Sequence, residues 1–141
     1  MSLRTALLVL ACLSAPALAV AAKWEKVGDA GPVAVYVDRD SIRKSGTEAR
    51  AALEWRWTKL VDVPNADPPR QYRLERQVQI SNCSNRSFAV AEGTRYADER
   101  GTDLVSSYKY DESSLPYTVV VPRTVRDQVV SYVCTYEPPK K

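Results

Sequence analysis

Residues 47–60 read TEARAALEWRWTKL, and they decide the fold class because apolar and polar side chains alternate along them. One face of the extended chain would carry Ala49, Ala51, Leu53, Trp55 and Trp57. The other face would carry Arg50, Ala52, Glu54, Arg56 and Thr58. A period of two is typical of a strand with one buried face, so the pattern predicts a half-buried strand over residues 47–60.

The same alternation predicts a second long strand over residues 71–80. Its inward residues would be Tyr72, Leu74, Val78 and Ile80, and its outward residues Gln71, Arg73, Glu75, Gln77 and Gln79. Arg76 interrupts the apolar face and leaves two interpretations open. Either it lies near a sheet margin and extends its guanidinium to water or a carboxylate, or it is an anion-binding group in a groove.

Shorter strands are predicted over residues 24–27, 33–38, 86–96 and 102–110. The turns between most of them are short, which favours antiparallel pairing because parallel crossovers need about a dozen residues or more.

The apolar period changes after Pro122 and indicates one helix over residues 125–135. Thr124 is a good N-cap residue, and Asp127 stands at the third position, where its charge favours the helix dipole. Apolar residues recur at helical spacing, namely Val125, Val129, Tyr132, Val133 and Tyr136. We therefore expect a mainly β α+β fold with a six-stranded antiparallel sheet and one C-terminal helix.

Composition excludes several functional classes. The 141 residues suit a single domain, and a net charge of +3 is too small to indicate a nucleic-acid partner. The chain has no histidine, which removes the commonest general base, and no cofactor motif or metal-ligand spacing is present. We expect no enzyme, no cofactor and no metal. A weaker alternative is a hydrolase or lyase that uses paired carboxylates, such as Asp38 and Asp40 or Asp98 and Glu99. These pairs lie beside turns, where acidic residues are usually solvated turn formers.

Residues 1–22, MSLRTALLVLACLSAPALAVAA, are typical of a secretory signal peptide. The small residues Ala17 and Ala19 predict cleavage after Ala19, with Ala22 as the second choice, so the single domain would span residues 20–141. A lipoprotein cut before Cys12 is the weaker alternative, because the signal would be shorter than the roughly 15 to 30 residues expected. The protein would be exported, to the periplasm or the cell surface, with no integral membrane span in the mature chain.

The exported chain would keep two of the three cysteines, Cys83 and Cys134. An even pair in an oxidising compartment indicates a disulfide. It would join the last turn of the helix to the end of the strand over residues 71–80. A redox pair would favour closer spacing, and a zinc site would need further ligands.

Several motifs, in this order, carry a family resemblance. They are Trp24 and Val27, Val35-Tyr36-Val37-Asp38 with Ser41-Ile42 and Gly46, the tryptophan-bearing strand, Cys83 before Arg86, and Val121-Pro122-Arg123-Thr124 leading to Val133-Cys134. Together they resemble the surface-adhesin protein E family. The resemblance implies a six-stranded antiparallel sheet, a C-terminal helix tied down by a disulfide, and a bacterial envelope protein. It also implies an adhesin that binds host matrix or serum proteins and can self-associate.

We therefore expect a non-catalytic protein-binding module, with Trp55, Trp57, Arg73 and Arg76 as candidate partner-binding residues. The alternatives are that the tryptophans are core residues, that the arginines pair with nearby carboxylates, and that the protein is a periplasmic structural or accessory protein.

Sheet width leaves a further question. Six strands span about 29 Å, whereas one helix about 10 Å wide covers only two or three of them. The remaining apolar surface would curl into a half-barrel, bind a second copy or form a groove for a partner. A homodimer through a sheet face or edge is the preferred prediction.

Overall fold

The computed structural model describes residues 21–140. The predicted signal peptide over residues 1–19, its cleavage site and the alternative lipid site at Cys12 lie outside the described residues. The elements are β1 (Trp24–Ala30), β2 (Val33–Asp38), β3 (Arg43–Ser45), β4 (Glu48–Asp62), β5 (Gln71–Asn82), β6 (Ser87–Tyr96), β7 (Leu104–Lys109), β8 (Thr118–Val119) and α1 (Val125–Thr135).

Six strands form one antiparallel sheet in the order β1-β2-β4-β5-β6-β7. The two short strands are additions to it, since β3 pairs with β4 and β8 pairs with β6. Within residues 21–140 the sheet does not close on itself, so β1 and β7 are its two edges. The predicted six-stranded antiparallel sheet with one C-terminal helix is confirmed.

The predicted and observed bounds of the elements agree best where the sequence contains a clear turn or cap residue. The β2 and α1 bounds match the prediction, and the Thr124 side chain accepts the expected bond from the Asp127 amide. β1 runs three residues further than expected, because the chain reverses at Gly31, with φ of 56°, and Pro32 alone. β6 begins one residue later than expected, because Arg86 has a φ of 53° and belongs to the preceding turn.

Helix α1 packs on the sheet face that carries the apolar residues of β4, which we call the helix face. Its residues Val125, Val129 and Val133 are buried there. They join the apolar residues Val35, Val37, Ile42, Ala49, Ala51, Leu53 and Trp55 in one core cluster. The predicted disulfide is confirmed: Cys83, directly after β5, is bonded to Cys134 in the last turn of α1.

The prediction that Glu75, Gln77 and Gln79 face solvent is wrong. Their exposures are only 7%, 6% and 1%. Strand register places them opposite Trp55, Leu53 and Ala51 respectively, so they lie on the helix face. Polar partners make their burial tolerable, since the Arg126 guanidinium of α1 donates to Gln79 Oε1.

The outward prediction for Glu54 is correct for the face but wrong for its exposure, which is 1%. Leu74 and Ile80 lie on this same face, which is opposite to α1, and they too are buried. The middle of the sheet therefore holds buried side chains on both of its faces. A period-two pattern cannot predict burial on both faces, because it assumes that one face of the strand is exposed to solvent.

Candidate binding groove

The sheet face opposite α1, which we call the open face, carries a continuous row of side chains across all six long strands. Residues in the row are direct cross-strand neighbours, one from each strand. They are Lys26, Tyr36, Glu54, Arg76, Thr94 and Ser107. The row places charged and hydroxyl groups in the middle of this face. The alternating pattern within each strand does not predict which residues of different strands become neighbours there.

A groove of about 660 Å³ lies on the open face beside this row. Trp24 on edge strand β1 and Lys109 on edge strand β7 both line it. In a flat sheet these edges would lie about 24 Å apart, so the sheet curves around the groove. Val78, Tyr96 and Arg76 form part of its wall between the edges.

A second cavity of about 720 Å³ borders the same face. Tyr36, Arg56, Arg73 and Arg100 are among its lining residues. Arg76 lines the groove and Arg56 lines the second cavity. Both arginines donate hydrogen bonds to Glu54, which therefore lies between the two cavities.

Glu54 is the centre of this charged cluster. Its carboxylate accepts hydrogen bonds from Arg56 Nε at 2.5 Å and from Arg76 Nε at 2.8 Å. The two arginine side chains remain 43% and 40% exposed. Two guanidinium groups therefore share one buried carboxylate, which leaves one uncompensated positive charge at the surface.

Aromatic rings hold both guanidinium groups in place. The Arg56 guanidinium lies 4.0 Å from the centroid of Tyr36, and that of Arg76 lies 5.5 Å from the centroid of Tyr96. Cation-π contacts of this kind stabilise an arginine orientation by about 0.5 to 1 kcal/mol at exposed sites. The positive groups are thus prepositioned on strands rather than free to move on loops.

The β6–β7 connection closes one side of the cluster. Gly101, with φ of 72°, lies against the Arg76 guanidinium, which also donates to the Arg100 carbonyl at 3.5 Å. Asp98 organises this connection by accepting from the Thr102 hydroxyl at 2.6 Å and from its amide at 2.9 Å. These bonds hold the pKa of Asp98 well below its usual value.

The helix face carries a different polar arrangement, which α1 covers. The Arg126 guanidinium lies 4.3 Å from the ring centroids of both Trp55 and Phe88. Burial lowers the pKa of Arg126 to about 10. Glu75 accepts from the Tyr108 hydroxyl at 2.5 Å. These groups form a polar layer of the core and leave the open face as the candidate site.

The four candidate residues from the sequence divide between these regions. Trp55 is 8% exposed and belongs to the core cluster, so it lies apart from the open face. Trp57 and Arg73 both line the second cavity, and Arg73 pairs with Glu99 at 3.0 Å. Arg76 lines the groove on a central strand rather than at a sheet margin. Their roles in partner binding remain predictions.

Sequence reasoning missed the partners that give Arg76 its setting, namely Trp24, Tyr36, Arg56, Thr94 and Tyr96. The sequence could have indicated Arg56, because the alternating pattern places it on the same outward face as Glu54. The others become neighbours only through strand register.

Two further observations concern residues 21–140. Within that range no three side chains of the metal-ligating types His, Cys, Asp and Glu lie together as a metal ion would require. The range also contains no helix with the length and apolar character needed to cross a bilayer.

Comparison with known proteins gives a consistent result. A family model described as surface-adhesin protein E matches residues 24–135. No curated protein matches the sequence. Among solved structures, crystal form II of Haemophilus influenzae protein E is similar, with a TM-score of 0.57 and 18% identity, covering 85% of this chain and 93% of that chain. Protein E from non-typeable Haemophilus influenzae gives a TM-score of 0.53 and 19% identity, covering 85% and 80%. At such identities the likeness concerns the fold.

Proposed function

Because the chain belongs to the surface-adhesin protein E family, we propose that it is a non-catalytic binding protein of the bacterial envelope whose open face engages a host matrix or serum protein. The observation that carries this proposal is the curved groove beside two half-exposed, prepositioned arginines. Residue types at the groove support it, since tryptophan, tyrosine and arginine contribute most of the binding energy in many protein interfaces.

The hydrogen bonds of Glu54 with two arginines support a binding role for the site rather than a catalytic one. This carboxylate is buried and already accepts bonds from two arginines. A general acid or base must reach a proton on the substrate, and a carboxylate held in this way does not. Hydrogen-bond donors on Arg56 and Arg76 are what the centre of the open face offers a partner.

Export is part of the proposal. The segment over residues 1–19 would be removed, and the mature chain would begin at Val20, in the periplasm or at the cell surface. Intact mass of the exported protein tests this, because a chain beginning at a diacylated Cys12 would contradict it. Protease accessibility on whole cells then separates surface display from a structural or accessory role in the periplasm.

Self-association is a separate proposal. A homodimer through a sheet face or edge would cover Leu104 of edge strand β7, which is 61% exposed. Sedimentation velocity at micromolar concentration tests it: a dimer that Leu104→Lys dissociates supports it, and a strict monomer contradicts it.

A substitution that fills the groove tests the binding proposal. Ser107 is exposed on β7 and lines the groove, so Ser107→Tyr adds bulk there without removing a core contact. Val119→Tyr adds a ring on exposed strand β8, outside the groove, and is the matched control.

The readout is binding of the purified chain to immobilised extracellular-matrix and serum proteins. The proposal expects binding to at least one, reduced roughly tenfold or more by Ser107→Tyr and within about twofold by Val119→Tyr. Absence of binding to the whole panel, or equal effects of the two variants, would contradict it.

A further inference from the structure

We propose that Arg56 and Arg76 form a subsite for one carboxylate, an acidic side chain on an extended segment of the partner protein. Apolar neighbours of that side chain would occupy the adjoining groove. This inference rests on the proposed function and specifies the chemistry of the partner.

Unused hydrogen-bond donors are the first argument. Each Nε is committed to Glu54, whereas Arg56 Nη1 and Arg76 Nη1 donate to no residue in the described range 21–140. Both side chains are about two-fifths exposed and line the cavities. A guanidinium with free donors binds carboxylates through charge-assisted hydrogen bonds.

Preorganisation is the second argument. Glu54 and the two tyrosine rings already fix both guanidinium groups, so a ligand would not have to order flexible arginines on binding. Side-chain ordering costs about 0.5 to 1.5 kcal/mol for each immobilised side chain, and that cost is largely avoided here.

The charge balance favours a single carboxylate over a polyanion. Several other basic groups around the open face are each paired with a carboxylate. These pairs are Lys26 with Asp29 at 2.5 Å, Arg73 with Glu99 at 3.0 Å and Lys109 with Glu92 at 3.2 Å. A sulfated glycan or nucleic acid needs a run of uncompensated cations. Within residues 21–140 the surplus positive charge at these cavities is limited to the Arg56, Glu54 and Arg76 cluster and to Arg100, which lines the second cavity without an ion pair. Two such surplus charges are too few for a run of cations.

The apolar wall specifies what flanks the acidic side chain. Val78 lies two residues from Arg76 on β5 and faces the groove with Trp24 and Tyr96. Two residues of strand span about 6.6 Å, the same spacing that an extended partner gives its own alternate side chains. The expected ligand is therefore an extended segment with Asp or Glu and an apolar residue two positions away.

A peptide selection tests this directly. Wild-type protein would be used to select from a phage-displayed library of random peptides. The inference expects enrichment of Asp or Glu with an apolar residue two positions away. A synthetic peptide of the selected sequence should bind roughly tenfold more tightly than the same peptide with its acidic residue changed to the amide.

Thr94 supplies a matched pair of variants. It is the cross-strand neighbour of Arg76 on β6, so Thr94→Glu places an internal carboxylate beside the guanidinium. Thr94→Gln has similar size without the charge. The inference expects the Thr94→Glu variant to bind the peptide roughly tenfold more weakly than the Thr94→Gln variant, with both variants folded in urea unfolding.

Several results would overturn the inference. They are a selection without acidic enrichment, equal binding by Thr94→Glu and Thr94→Gln, and displacement of the peptide by a sulfated oligosaccharide whose own binding is equally strong. If either variant fails to fold, the smaller pair Thr94→Asp and Thr94→Asn repeats the comparison at the same position.

The inference and the proposed function fail separately. If matrix-protein binding is lost in Ser107→Tyr but unaffected by Thr94→Glu, the proposed function stands and the carboxylate subsite is wrong. If acidic peptides bind as expected while no matrix or serum protein does, the subsite stands and the host-binding proposal is wrong.

Discussion

Glu54 on β4 and Arg76 on β5 are direct cross-strand neighbours, with 2.8 Å between Glu54 Oε2 and Arg76 Nε. The carboxylate is buried while the guanidinium is half in solvent. The pair therefore connects the interior of the sheet with its open face. A buried anion has to be compensated, and here the compensating groups are the ones available to a partner.

Replacing Glu54 tests how much the fold depends on this pair. Glu54→Gln keeps the size of the side chain but removes the charge that two arginines share. We expect a loss of about 1 to 3 kcal/mol in the free energy of unfolding, measured by urea denaturation.

Glu99→Gln is the control for that measurement. Glu99 pairs with Arg73, but its side chain is 76% exposed. Exposed ion pairs contribute about 0 to 1 kcal/mol. Equal losses in the two variants would contradict the structural importance of Glu54.

Gly93 on β6 lies against the Tyr108 ring, and a methyl group there would overlap that ring. Gly93→Ala should displace Tyr108 and break its bond to Glu75, with a loss of about 1 to 3 kcal/mol in thermal or urea unfolding. Gly28→Ala should cost less, because the added methyl meets only the side chain of exposed Gln128, which can rotate away. The reverse order would contradict the placement of Tyr108.

The disulfide ties α1 to the sheet across 51 residues of sequence. Removing both cysteines as Cys83→Ala with Cys134→Ala should destabilise the fold by roughly 2 to 5 kcal/mol, since the unfolded chain regains the entropy of an open loop. Reductant should lower the melting temperature of wild type and leave the double variant unchanged. A reductant effect of equal size on both proteins would be inconsistent with this disulfide.

Alkaline pH should destabilise the protein through Tyr108. Burial, followed by its hydrogen bond to Glu75, raises the pKa of Tyr108 above the ordinary 10.0. Above about pH 10 the unfolded chain releases the phenolic proton while the folded chain retains it, so stability falls as pH rises. Urea unfolding at increasing pH should show a shallower decline for Tyr108→Phe. Tyr117 and Tyr132, whose pKa values burial raises to about 12, contribute equally in both proteins.

Local signals in the sequence were sufficient for most of the fold. Alternation along residues 47–60 predicted β4, and the Thr124 cap predicted the start of α1, because both depend on neighbouring residues alone. The Cys83 and Cys134 pairing followed from an even cysteine count in a chain that is predicted to be exported.

Long-range packing explains what the sequence could not predict. Burial of Gln79 depends on Arg126, which is 47 residues away in the chain. The setting of Arg76 depends on the register of β4 against β5 and on the connection that carries Gly101. Arg76 pairs with a carboxylate, as the first interpretation expected, but on a central strand, and it lines a groove, where anion binding stays a prediction.

Hydrogen–deuterium exchange tests the central claim, that the open face is the binding surface, most directly. The chain would be compared alone and in complex with the matrix or serum protein that it binds most tightly. The account predicts added protection in residues 76–78 of β5, in residues 92–96 of β6 and in the connection over residues 97–103. Protection confined to α1 and the β1 residues packed against it would contradict the account.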